Sequence, residues 1–152
     1  MVTALDTLRA ARAAGVHLEV DGGRLLASPR ERLNDTLRAA LRRLKPDLLA
    51  LLVAPPLGAA DRVAIEEHLV ERAAIREFDG GQSHPEAESA ARSEVLACRL
   101  LLDRGADTAP GWTLALLPGL DLADAHRHAQ KRYGNALLAV LPQPLPAGVA
   151  HE

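Results

Sequence analysis

Residues 16–28 constrain the fold of this chain more tightly than any other stretch. Val16-His17-Leu18-Glu19-Val20 alternates apolar and polar residues strictly, and Asp21-Gly22-Gly23 follows with the composition of a tight hairpin turn. Arg24 to Ser28 then reads as the returning strand. Whether the turn is centred on Asp21-Gly22 or on Gly22-Gly23, the same faces stay inward, because the register moves by two pairing units. Val16, Leu18, Val20, Leu25 and Ala27 point to a core, and His17, Glu19, Arg24, Leu26 and Ser28 point away from it. Leu26 is therefore an apolar residue on an otherwise polar face.

Helices flank this hairpin. Leu5, Leu8 and Ala11 to Ala14 recur at helical spacing, and Gly15 stands where a helix C-terminus favours a left-handed residue, so a first helix is predicted over about 3–14. Asn34 is a good N-cap for a second helix carrying Leu37, Leu41 and Leu44, and Pro46 interrupts it before a short third helix with Leu48, Leu49 and Leu52. Residues 1–54 thus form an α-β-β-α-α module. Ala54-Pro55-Pro56-Leu57-Gly58 ends it, and 55–60 reads as a linker.

The expectation for 61–142 is a small mixed domain, a helical pair followed by β-β-α-β. From Asp61 to Glu77 a fourth helix places Val63, Ile65, His68, Leu69, Ala73 and Ile75 over a broad apolar side, and Phe78-Asp79-Gly80-Gly81 breaks it. Ser83-His84-Pro85-Glu86 has the capping-box pattern of a further helix. Val95 to Leu102 is either an extension of that helix or a buried strand. A strand from about Leu96 is preferred, since Trp112 to Leu117 alternates like its partner across a turn at 103–111. Asp121 caps a helix ending at Lys131-Arg132-Tyr133, Ala136 to Leu141 reads as the last strand, and 143–152 is expected to be a disordered tail. The fold class is α+β in two small units.

Composition narrows the function. About half of the 152 residues are apolar, enough for one ordinary domain or two very small ones. Net charge is close to balanced, which implies no general attraction to nucleic acid or membrane. The halves differ, however: bases outnumber acids before Pro55, and acids prevail from Asp61 to Asp103. The single cysteine, Cys98, has no internal disulfide partner, and the start of the chain lacks signal-peptide features, so a reducing cytoplasm is the expected setting. No apolar run is long enough to span a bilayer.

Leu8-Arg9-Ala10 through Gly15-Val16, the Gly22-Gly23 turn, Leu33 to Leu41 and Lys45-Pro46-Asp47-Leu48-Leu49-Ala50-Leu51-Leu52 together resemble the N-terminal docking domains of TubC-type peptide synthetases. The resemblance covers roughly the first third of the chain. It implies a compact docking domain, usually a homodimer, that captures a short linear motif of a partner protein alongside its hairpin. Carried onto this sequence, the partner-binding surface is His17, Arg24 and Leu26 on the outward hairpin face, with Arg30 and Arg32 beside it for an acidic peptide. The residues after the linker do not read as a condensation domain. Arg72 to Gly81, Ala87-Glu88, Trp112, Asp121 and Arg132-Tyr133-Gly134 are instead similar to small uncharacterised proteins of proteobacterial prophages and integrative elements.

Other chemical signals are weaker. The helix, Asp79-Gly80-Gly81 turn and second helix have the outline of a helix-turn-helix over 62–94, the basis of an alternative reading as a mobile-element accessory protein that binds DNA; an acidic surface argues against it unless Arg72, Arg76 and Arg92 form a basic patch. Asp124 and His128 lie one turn apart but lack further metal ligands, and His126 and His128 read as a solvated helix face. Cys98 sits among apolar residues as an inert thiol. Trp112, Phe78 and Tyr133 are read as core anchors. No catalytic residue, metal site or cofactor is expected, and the favoured reading is a non-enzymatic adaptor.

Overall fold

A computed structural model describes residues 2–146 and shows an α+β protein. Helix α1 (Ala4–Ala13) starts at Thr3, whose hydroxyl accepts from the Asp6 amide at 3.1 Å while the Asp6 carboxylate accepts from the Thr3 amide at 3.0 Å. This reciprocal cap satisfies two of the donors a helix start leaves open. Strands β1 (His17–Asp21) and β2 (Arg24–Ser28) pair antiparallel with Asp21 opposite Arg24, so the turn is Gly22-Gly23. Both glycines have positive φ, +55° and +80°, which the two-residue turn matching the strand twist requires. A 3-10 turn (Arg30–Arg32) leads to α2 (Asp35–Arg43), capped by Asn34 Oδ1 on the Leu37 amide at 2.7 Å, and then α3 (Lys45–Leu51).

Helices α4 (Ala59–Gly80) and α5 (His84–Glu94) follow, joined by a turn in which Gly81 is left-handed and Ser83 caps α5. Ile65, Leu69 and Ala73 of α4 pack with Ala87 and Ala91 of α5. The remaining elements are β3 (Val95–Leu102), β4 (Gly111–Pro118), α6 (Leu122–Tyr133, capped by Asp121) and β5 (Leu137–Gln143). They form an antiparallel sheet in the order β4-β3-β5, separate from the β1–β2 ribbon. The ambiguous segment 95–102 is thus a strand, and it is the central one.

Strand β3 is the spine of the molecule. One face, Leu96, Cys98, Leu100 and Leu102, lies against Ala125 and Ala129 of α6. The other is shared along its length by three parts of the chain. Val95 and Ala97 pack on the α4–α5 pair, Leu101 joins the core of the N-terminal module with Leu8, Leu18 and Leu48, and Arg99 lies between them. Arg99 is buried, and its guanidinium donates to the carbonyls of Pro55 at 3.3 Å and Pro56 at 3.1 Å and to the Asp61 carboxylate at 2.7 Å. Those bonds answer the cost of burying its charge, and they fasten the connector 53–58 to the sheet. At the far end of β3, Asp103 receives a two-pronged contact from Arg9, at 2.9 Å to each oxygen, and one from Arg12 at 3.3 Å. The Arg9 hydrogen bonds hold the Asp103 carboxyl well below the usual carboxylate range.

Several expectations need correction. Residues 59 and 60 belong to α4, not to the linker. At about 100° per residue, only Ile65, Leu69 and Ala73 of the expected apolar side of α4 meet α5, and Val63 and Ile75 fall outside that arc and are exposed. Phe78 lies on the opposite side of α4, which continues to Gly80, and is 88% exposed rather than a core anchor. Trp112 and Tyr133 do pack on the cores. Val20, near the ribbon tip and past the reach of the covering helices, is 36% exposed. Gln143 pairs with Ala97 and so belongs to β5, not to the expected tail; 147–152 lie outside the described residues.

Candidate functional site

In a two-residue hairpin the closing pair exchanges both backbone hydrogen bonds, and the pairs alternate from there. Asp21–Arg24, Glu19–Leu26 and His17–Ser28 are therefore the bonded pairs. The N–H and C=O groups of Leu25 and Ala27 are left facing the outer edge of β2, where no strand pairs among the described residues. An edge of this kind is a template for an added strand. Leu26 stands on it 44% exposed, next to exposed Arg24.

The 3-10 turn brings Arg30 and Arg32 close behind the end of β2, after a cis Ser28–Pro29 peptide. Arg9, Arg12, Arg72, Arg76, Arg99 and Arg127 all pair with carboxylates, whereas Arg24, Arg30 and Arg32 make no ion pair among the described residues. The site residues separate into two groups in space. Arg24 and Leu26 lie toward the open tip. Arg32 turns the other way and crosses Gly15, whose φ of +76° and missing Cβ make room for the guanidinium.

His17 stays exposed on the same face as Leu26, but at the end of the ribbon that α6 reaches. Its ring lies against His126 of α6, with centroids 4.2 Å apart and planes tilted by 40°, and the Glu19 carboxylate is 3.9 Å from His126 Nε2. The His126 side chain is only 13% exposed, and neither ring nitrogen has a hydrogen-bond partner among the described residues. Burial, and to a smaller degree the neighbouring His17, pushes its pKa down to about 4. His126 thus holds a neutral ring in a seam, which corrects its reading as part of a solvated helix face. A signal was present: position 126 is one turn after Leu122 and beside Ala125 and Ala129, on the apolar stripe of α6.

The other candidates resolve into structural contacts. Arg72 and Arg76, wanted at a DNA surface, both turn to Glu94, and Arg92 donates to the Pro146 carbonyl. His84 is held by Glu77 and Glu88, and the hydrogen bond to Glu77 raises its pKa. Asp124 accepts from the Leu120 amide at 2.9 Å and from Arg127, which occupies the carboxylate considered for sharing a ligand with His128. Cys98 is buried under α6, and desolvation pushes its thiol up to about 11. Among the described residues no helix is long and apolar enough to cross a membrane, and no cluster of three or more His, Cys, Asp or Glu side chains is arranged to hold a metal. Comparison with protein-family models, with curated proteins and with solved structures finds no match to this chain.

Proposed function

We propose that the protein is a non-enzymatic docking adaptor that captures a short acidic linear motif of a partner protein along the outer edge of β2. One observation carries this reading: an exposed leucine, Leu26, on a strand edge left unpaired among the described residues, with Arg24, which makes no ion pair among them, beside it and Arg30 just beyond the strand. An extended peptide would take its backbone hydrogen bonds from Leu25 and Ala27, place an apolar side chain on Leu26, and bring its carboxylates to the two guanidiniums. Main-chain bonds then supply general affinity, and charge supplies orientation and association rate.

The test compares proteins retained from the source cells by the wild type and by an Arg24→Glu, Leu26→Asp double variant, identified by mass spectrometry. Both positions are exposed, so the fold is expected to persist. A partner lost only from the variant supports the reading. An identical set from both removes the hairpin edge from it.

A further inference from the structure

The other edge of the ribbon, that of β1, faces the free edge of β5. The two strands approach one another, yet no backbone hydrogen bond joins them among the described residues. Between residues 15–18 and 137–140 lies a cavity of about 450 Å³. Small-molecule sites occupy roughly 300–1,000 Å³, so this one is of ligand size. Its floor is aliphatic, contributed by β1 and β5.

The polar groups around that floor are Arg12, Arg32, His17, His126, Gln130 and Asn135. Among the described residues no carboxylate lines it, in a chain where acids slightly outnumber bases. Arg32 has no ion-pair partner among the described residues, and Arg12 shares Asp103 with Arg9. The imidazole of His126, buried with neither ring nitrogen hydrogen-bonded among the described residues, forms a neutral part of the wall, so the positive charge at the cleft comes from the arginines.

We propose that this cleft is a binding site for a small organic anion, a monocarboxylate with a compact apolar body. The carboxylate is held at the mouth by Arg32, the group with the freest charge, and the apolar body lies on the aliphatic floor between the strand edges. Gly15 is part of the site, because a side chain there would displace the Arg32 guanidinium. This site is distinct from the outer edge of β2 and does not depend on the docking role.

The experiment is a titration of ¹⁵N-labelled full-length protein with benzoate and hexanoate, beside the neutral isostere benzamide, at constant ionic strength. At least one of the two carboxylates is expected to shift the amides of residues 15–18 and 137–140 saturably, and benzamide is expected to bind about tenfold more weakly, the order of a single charge-assisted contact. Arg32→Gln, at an exposed position that leaves the core intact, is expected to weaken the carboxylate by about the same factor. Absence of saturable shifts at those amides with both carboxylates overturns the proposal. So does equal binding of benzamide, or an affinity that Arg32→Gln leaves unchanged.

Discussion

In β3 both faces are covered, α6 lying on one and three other parts of the chain sharing the other, whereas the β1–β2 ribbon covers one face and leaves the second open toward its tip. The two regions carry different duties. A strand enclosed on both sides anchors everything that touches it, and even its one charged residue, Arg99, is used to fasten the connector. A ribbon held on one side keeps backbone groups and side chains available to something outside the molecule. Stability should therefore be concentrated around β3, and recognition around β2.

The largest effect that would test this contrast is expected at Leu100, which is fully buried between β3 and α6. Leu100→Ala should lower unfolding free energy by about 4 kcal/mol in urea denaturation, the usual loss for a buried leucine that leaves a cavity. A loss below about 1 kcal/mol, the median for point changes in general, would show that β3 is not the spine of the molecule.

The seam between ribbon and sheet should respond to acid. His126 has a folded pKa of about 4, below its unfolded value, so the unfolded chain takes up the proton first as pH falls. Stability from keeping the ring neutral is complete above about 6.5 and is lost as pH drops toward 4, by on the order of 3 kcal/mol in all. His126→Phe should flatten that part of the stability profile. Subtracting the two profiles cancels His84, whose raised pKa acts in the opposite sense.

A smaller loss, about 2 kcal/mol, is expected for Arg99→Met, which removes three hydrogen bonds and leaves the Pro55 and Pro56 carbonyls without their donor. Hydrogen exchange of the amides of 57–62 should rise in that variant, while exchange in the ribbon stays the same. The smallest effect belongs to the ribbon. Leu26→Ser should change stability by no more than about 0.5 kcal/mol, as surface substitutions do, while reducing capture of an acidic partner motif. Were Leu26→Ser and Leu100→Ala to destabilise alike, the division between the two sheets would fail.

Much of the fold was legible because local chemistry and final structure agree. Asn34, Ser83 and Asp121 cap the helices they were expected to cap, and Gly22-Gly23 turns the expected hairpin. Strict alternation marks a strand with one wet face, as in 16–20. It vanishes from a strand covered on both sides, which is why 95–102 also reads as a helix. Phe78, Val63 and Ile75 misled for a related reason: an apolar residue on a long helix is buried only if a neighbour reaches it, and α5 is half the length of α4.

The site was legible only in part. Exposure of Arg24 and Leu26 follows from strand parity alone. The placement of His17 depends on α6, far along the chain, and nothing near His17 announces that partner. The cleft between β1 and β5 was out of reach for the same reason, since neither strand's own pattern tells which edge of another sheet will lie beside it.

The Arg99 fastening also decides where the chain can be severed. A proline-rich stretch between two compact regions is the usual place to divide a protein into separately expressed halves, or for a protease to nick it. Here the carbonyls of Pro55 and Pro56 are tied down, and the first module borrows Leu101, Trp112, Leu138 and Ala139 for its core. Scission at the connector would strip both pieces of their neighbours. The exposed turn at 104–109, with Arg104 at its start, is where trypsin should enter first, and the fragments it leaves should remain associated through the pairing of β3 in one with β4 and β5 in the other.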